Sequence, residues 1–328
     1  MRYVEAAGAR ISVIGVGAWQ FGAREWGYGE EYSTEVAPAI IERALDLGIN
    51  LVDTAEMYGF GRSERIVGEA IRGRRDDVFL ATKLLPLLPL TPVVEWRAFE
   101  SVARLGVSHI DLYQIHWPNP VFRVGTPMRA MGKLLQVGLC RHAGVSNFSL
   151  EQWQEAERAL GAPVLSNQVQ YSLAVRRRGD DLVGWAASHD RVVIAYSPLA
   201  QGLLAGRYDR DNPPRNNVRR GNALFLPENL DRASELLGAV RAVAAEHDAT
   251  PAQVALAWLI RRPNVVVIPG ASSVAQLEAN AAAADLELSD EEDRRLSEAS
   301  SRFEPVTGPK AMAGMARRIP TGRPGGRH

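Results

Sequence analysis

The sequence predicts an α/β protein folded as a single (β/α)8 barrel over residues 1–328, with an N-terminal β-hairpin, a long loop after strand seven and an extra C-terminal helix. Three observations carry this prediction. Short β-branched runs alternate with amphipathic segments from one end of the chain to the other, the pattern of parallel βαβ units. There are eight such runs, and each is almost continuously apolar, as strands covered on both faces must be. The 328 residues exceed the roughly 250 that one barrel needs and leave room for insertions.

In chain order, the predicted strands are 11–17, 50–53, 78–82, 110–116, 140–145, 165–168, 192–196 and 265–268. Helix starts are marked between them. Ser149-Leu150-Glu151-Gln152, Thr250-Pro251-Ala252-Gln253 and Ser289-Asp290-Glu291-Glu292 each read as a capping box, the second with proline at the first helical position. The run 254–260 is apolar nearly all round, which predicts a helix pressed against the barrel. Residues 197–230 form a Gly/Pro/Arg/Asn-rich connection, of a length that is usually functional or disordered. Residues 303–328 read as a basic tail whose last residues are expected to be mobile. An open doubly wound sheet is the alternative architecture. Gly15-Val16-Gly17 begins a dinucleotide fingerprint, but Phe21 and Gly22 do not complete it in register.

Composition narrows the function. Hydrophobic and charged fractions of 46% and 23% are ordinary for a globular protein. With 38 basic and 38 acidic residues, no net charge draws the chain to nucleic acid or membrane. A lone cysteine, Cys140, excludes an internal disulfide, and its place at the head of an apolar run predicts a buried, inert thiol. No secretory pattern opens the chain and no apolar run nears the length of a membrane span. The expectation is a cytoplasmic monomer or weak homo-oligomer.

In such barrels, chemistry is done at the C-terminal ends of the strands and in the loops that follow them. Those positions hold Trp19 and Gln20, Asp53, Lys83, His116, Ser146 and Asn147, Gln168, Tyr196 and Ser197, and Gly270 to Ser272. Taken singly, each has a bland reading: Asp53 a helix cap, Tyr58 a packing residue, Lys83 a solvated charge, His116 a structural histidine. Their joint arrival at one rim favours chemistry. Tyr58 lies five residues beyond Asp53, in Asp53-Thr54-Ala55-Glu56-Met57-Tyr58-Gly59. An ammonium near a phenol lowers its pKa, and a carboxylate holds that ammonium in place. Tyr58 would then protonate a carbonyl oxygen as hydride reaches its carbon. A Schiff base on Lys83 is a rival that leaves Tyr58 and His116 without work. A zinc hydrolase is another, but the histidines at 109, 116, 142, 189, 247 and 328 lack paired ligand spacing.

These motifs, with Arg104-Leu105-Gly106-Val107-Ser108-His109-Ile110-Asp111-Leu112, Gly144-Val145-Ser146-Asn147-Phe148 and Ser197-Pro198-Leu199-Ala200-Gln201-Gly202, resemble the aldo-keto reductases over almost the whole chain. Tyr196 to Leu204 and Pro269 to Ser273 are similar to the bacterial branch related to potassium-channel β subunits. The resemblance implies a TIM barrel that reduces an aldehyde or ketone with NADPH, its catalytic group falling on Asp53, Tyr58, Lys83 and His116. It also allows a redox-sensing module that holds NADPH with little turnover. Ser146, Asn147 and Gln168 would bond the nicotinamide carboxamide, Tyr196 would stack on the ring, and Ala18, Trp19 and Gln20 would approach from the first strand. Ser197, Pro198, Leu199, Gln201 and Gly202 would follow the pyrophosphate. Gly270 and Ser272 would stand at the phosphate, where a helix beginning near Val274 offers free N–H groups. Gln276 and Asn280 would meet the adenosine. The chain lacks the basic residues that many members carry at 270–272 and 276, and Arg207 matches a compensating position, with Arg215, Arg219 or Arg220 as a second contact. Trp19, Tyr58 and Trp117, with Trp26 or Phe225, would wall a pocket for an apolar or flat carbonyl.

Overall fold

The computed structural model describes residues 1–22, 26 and 28–316. Its first element is a hairpin, β1 (Tyr3–Ala6) and β2 (Ala9–Ser12), paired antiparallel. The two-residue turn between them, Ala7-Gly8, holds both residues at positive φ, 46° and 79°, as a tight hairpin turn matched to strand twist demands.

Eight parallel strands follow: β3 (Val16–Gly17), β4 (Leu51–Asp53), β5 (Phe79–Leu84), β6 (Ile110–Ile115), β7 (Cys140–Ser146), β8 (Val164–Gln170), β9 (Val192–Tyr196) and β10 (Val265–Ile268). Each pairs with its sequence neighbour, from β3 through to β10. The ring closes between the last strand and the segment before and within β3. Gly15 N–H donates to Val267 O (2.7 Å) and Val267 N–H to Val13 O (2.9 Å). A Cβ at Gly17 would stand 2.7 Å from Ile268 O, so glycine is what allows this close approach.

Helices α1 (Ala37–Asp46), α2 (Arg62–Ile71), α3 (Thr91–Leu105), α4 (Gly125–Gln136), α5 (Leu150–Leu160) and α6 (Arg177–Ser188) cross between successive strands up to β9. The connection from β9 to β10 carries α7 (Asn217–Arg220), α8 (Pro227–Arg232), α9 (Ser234–Glu246) and α10 (Pro251–Ile260). After β10 come α11 (Val274–Ala282), α12 (Asp290–Arg302) and α13 (Gly308–Ala316). All three expected capping boxes form, at Ser149, Thr250 and Ser289. Every residue from Val254 to Ile260 is buried, as its all-round apolarity requires.

The strands' period of two sorts the core into two clusters. Ala81 and Leu112 face the barrel interior with Leu51, Leu165, Ile194 and Val266, and Ala6, Ala9 and Ile11 of the hairpin join them to plug its N-terminal end. Leu80, Leu84, Tyr113 and Ile115 face outward into the larger cluster beneath the helices. The barrel therefore offers an open face only at the C-terminal ends of its strands.

Two expectations need correction. The run 11–17 is not one strand but the end of the hairpin, a two-bond bridge and the short β3, because a continuous apolar run does not mark where the chain changes sheet. Lys83 lies inside β5, not after it, since pairing with Gln114 of β6 continues past residue 82. The long connection 197–230 is broken into short capped turns, Asn216 accepting from Val218 N–H and Asn222 from Leu224 N–H. Of the tail, α13 is described, and the basic stretch 317–328 lies outside the described residues.

Candidate active site

Every barrel strand except β5 ends on one groove at the open face, and β5 supplies Lys83 from beneath its floor. Lys83 points inward because it shares parity with Ala81, and it is 0% exposed. A buried ammonium must be paired and fully hydrogen-bonded. Its three donors are all used: Asp53 Oδ1 at 2.5 Å, Thr54 O at 2.9 Å and Tyr58 Oη at 3.3 Å. The second carboxylate oxygen of Asp53 accepts from Gln168 Nε2 at 2.7 Å and, at longer range, from Gln114 Nε2 at 3.4 Å.

Electrostatics then fixes who holds protons. Burial pulls the Lys83 ammonium down, but Asp53 and Tyr58 outweigh it and hold the group charged, above its ordinary value. Burial raises the Tyr58 phenol above its ordinary value, with Lys83 pulling the other way. This corrects the expected direction: the lysine does favour the phenolate, but loss of hydration costs the phenolate more. Burial, and then Lys83, push His116 down to about 2, so it is neutral near pH 7. Its ring meets Tyr58 edge-on at 5.9 Å. At neutral pH the groove floor thus holds a protonated phenol, a charged ammonium and an uncharged imidazole.

Side-chain amides gather beside this group. Ser146 Oγ donates to Gln168 O (2.8 Å), Asn147 Nδ2 reaches Ser146 Oγ (3.1 Å) and His116 O (3.3 Å), and Tyr196 Oη donates to Asn147 Oδ1 (3.1 Å). Past Tyr196 the wall is made by Ser197, Pro198, Leu199, Gln201 and Gly202. Ser197, Ala200 and Gln201 all sit at positive φ (49°, 47° and 55°), a concentration of strained non-glycine backbone typical of functional loops. Gln201 Oε1 is buried there with no hydrogen-bond partner among the described residues.

The far end is closed by the segment after β10. Gln20 Nε2 and Tyr32 Oη both donate to Ala271 O (2.6 and 2.7 Å), and a Cβ on Gly270 would fall 2.2 Å from Gln20 Oε1. Ser273 caps α11 through Gln276 N–H, and Gln276 Oε1 turns back to accept from Ser272 N–H (2.7 Å) and Oγ (2.8 Å). Exposed Arg207 and half-buried Arg219 line the groove, and among the described residues neither pairs with a carboxylate. Arg219 donates to Gln201 O (2.9 Å) and stacks over Trp26, whose carbonyl accepts from Asn216 Nδ2 (2.7 Å). Opposite the amides stands an aromatic wall, with Trp19 at 6.3 Å from Tyr58 and 4.9 Å from Trp26, together with Trp117 and Met57.

Nearly all the residues singled out from sequence therefore share this groove. Ala18 and Asn280 are buried behind its wall instead; Ala18 is tied by its N–H to Asp53 O and by its carbonyl to Ser63 Oγ. Phe225 is buried under the long connection against Tyr208. The lining also includes Gly17, Tyr28, Met57, Ala205, Ile268 and Pro269, which sequence reasoning did not single out. Gly17, Ile268 and Pro269 were findable, because each ends or follows a strand; the loop residues carried no such signal.

Residues 13–301 match the model of the Aldo/keto reductase family. The chain is 51% identical over 318 residues to an uncharacterised oxidoreductase of Mycobacterium tuberculosis, covering 97% of this chain and 98% of that one. It is 35% identical to the methylglyoxal reductase YeaE of Escherichia coli, over 86% and 88% of the two chains. Among solved structures, an aldo/keto reductase from Klebsiella pneumoniae in complex with NADP and acetate superposes with a TM-score of 0.71 at 32% identity, over 93% of this chain and 96% of that one.

Proposed function

This chain belongs to the aldo/keto reductase family, and from that premise we propose that it reduces an aldehyde or ketone to the alcohol with NADPH, Tyr58 donating the proton. The observation that carries this reading is the buried run from Asp53 through Lys83 to the Tyr58 hydroxyl, ending on the groove.

The groove's residues fit the cofactor. Asn147, Ser146 and Gln168 present the donors and acceptors an amide would use at one end, and Tyr196 offers a ring beside them. Gln201 Oε1 is an unmet acceptor in the middle, and Arg207, Arg219 and the start of α11 suit phosphates at the other end. Bound NADPH supplies the hydride. As the new C–H bond forms, the carbonyl π pair moves to oxygen, and the Tyr58 phenol gives its proton to that oxygen. Lys83 stabilises the phenolate left behind, and Asp53 keeps the lysine charged and aimed. Neutral His116 orients the carbonyl by hydrogen bonding and carries no ionic charge into the step.

The aromatic wall favours small apolar or flat carbonyl compounds. Consumption of NADPH, measured across aldehydes, quinones, dicarbonyls including methylglyoxal, and keto-sugars, tests the reading. Tyr58→Phe is expected to retain NADPH binding and lose on the order of a hundredfold or more in turnover. Unchanged turnover in that variant would remove Tyr58 from the role.

A further inference from the structure

Tyr58 is not on a regular element. It lies in the segment joining β4 to α2, just ahead of Gly59, Phe60 and Gly61, all at positive φ (57°, 54° and 81°). Its partner Lys83 is fixed in the barrel wall, so the 3.3 Å contact depends on how that segment is held against β5.

Two residues before Tyr58, the Glu56 side chain turns away from the groove. It accepts a hydrogen bond from the backbone N–H of Leu85, two residues after Lys83. Arg97 of α3 meets the same carboxylate through Nε (3.0 Å) and Nη2 (2.9 Å), and its Nη1 donates to Leu85 O (3.0 Å). Both backbone polar groups of Leu85, its N–H and its C=O, are thereby clamped to one ion pair. The Glu56 backbone N–H also reaches Lys83 O at 3.4 Å. Glu56 is buried, so its carboxylate stays in place only while those donors satisfy it.

We propose that Glu56 and Arg97 are positioning residues that clamp the Tyr58 segment to the strand carrying Lys83, and so set the phenol–ammonium contact on which proton delivery depends. This rests on the reading of Tyr58 as proton donor. Neither residue lines the groove. The pair acts through Tyr58, not on substrate.

The titratable groups facing Tyr58 are Lys83, Asp53, His116 and Tyr196. Those facing Glu56 are Arg97, Glu64 and Tyr113. Since Lys83 is what opposes the burial of the phenol, a slackened clamp raises the pH at which Tyr58 ionises.

The test measures pH profiles of kcat and kcat/KM for carbonyl reduction with NADPH and alcohol oxidation with NADP, and NADPH affinity by fluorescence, in Glu56→Ala and Arg97→Leu. Both variants are expected to lose roughly tenfold or more in kcat, as small misplacements of reacting groups do. The alkaline limb of reduction and the rising limb of oxidation should both move to higher pH, with NADPH affinity within about twofold of the parent, since the clamp lies outside the groove. Glu56→Gln keeps an acceptor for Leu85, and Arg97→Lys keeps charge without the two-pronged contact. These milder variants, expected to fall in between, decide the matter if the severe ones do not fold. Unchanged kcat, or a fall in kcat with limbs that superpose on the parent's, overturns the proposal. Tyr58→Phe runs alongside: if it leaves turnover intact, the proton-donor reading itself has failed, whatever the clamp variants do.

Discussion

At the scale of single residues, the electrostatics hold Tyr58, Lys83 and His116 each in one protonation state near neutral pH. Raised Tyr58 and Lys83 and depressed His116 together predict reduction that is nearly flat through neutral pH and declines only when the phenol ionises on the alkaline side. An acid limb near the ordinary histidine range would show His116 titrating, contrary to its burial. Stability carries the matching signature. His116 drops from 6.5 to about 2 on folding, so the stability gained by keeping it neutral is whole above about 6.5. It drains as pH falls, because the unfolded chain takes up a proton that the folded chain refuses. His116→Asn is therefore expected to flatten the loss of unfolding free energy between about pH 6 and 4, by up to about 1.4 kcal/mol per pH unit. Urea titrations at several pH values read that slope directly, and parallel slopes for parent and variant would count against it.

At the scale of elements, packing overrides local preference in identifiable places. Gly68 lies within α2, where alanine gains about 1 kcal/mol in helix propensity. A Cβ there would stand 2.1 Å from Leu105 O at the end of α3, a backbone atom that cannot step aside. Overpacking costs about 1–3 kcal/mol, so Gly68→Ala is expected to lower the melting temperature despite the better helix former; a rise would mean that α2 and α3 separate freely. The same contrast explains what sequence revealed. Strands 192–196 and 265–268 and the three capping boxes were legible, because continuous apolar runs and local hydrogen bonds are written in neighbouring residues. The split of 11–17 was not, since closure onto β10 is a contact across the whole chain. Asp53, Tyr58, Lys83 and His116 were visible from strand ends and motif. Tyr28 and Met57 were not: Tyr28 reaches the groove by stacking on Tyr32, whose hydroxyl holds Ala271 from across the rim.

At the scale of the whole molecule, the charge balance makes cofactor selection a local matter. Thirty-eight basic residues offset thirty-eight acidic ones, so no overall field gathers a polyanion to the groove. Attraction must come from cations at the open face that lack a carboxylate partner, and Arg207 and Arg219 meet that description among the described residues. Arg219 is half-buried and committed to Gln201 O and Trp26, whereas the exposed Arg207 guanidinium has no partner among the described residues, and we propose that it meets the extra phosphate that distinguishes NADPH from NADH. Arg207→Gln is expected to weaken NADPH binding roughly fivefold, the upper range for an exposed charge contact, and to leave NADH binding nearly unchanged. Exposed charges are screened beyond about 10 Å at 0.1 M salt, so the parent's preference for NADPH should narrow as ionic strength rises, while the variant's smaller preference moves less. Titration of both cofactors at low and high salt measures this. Equal losses for NADH and NADPH would place Arg207 at the shared pyrophosphate instead, and leave discrimination to the side chains that open α11, Ser272 and Gln276.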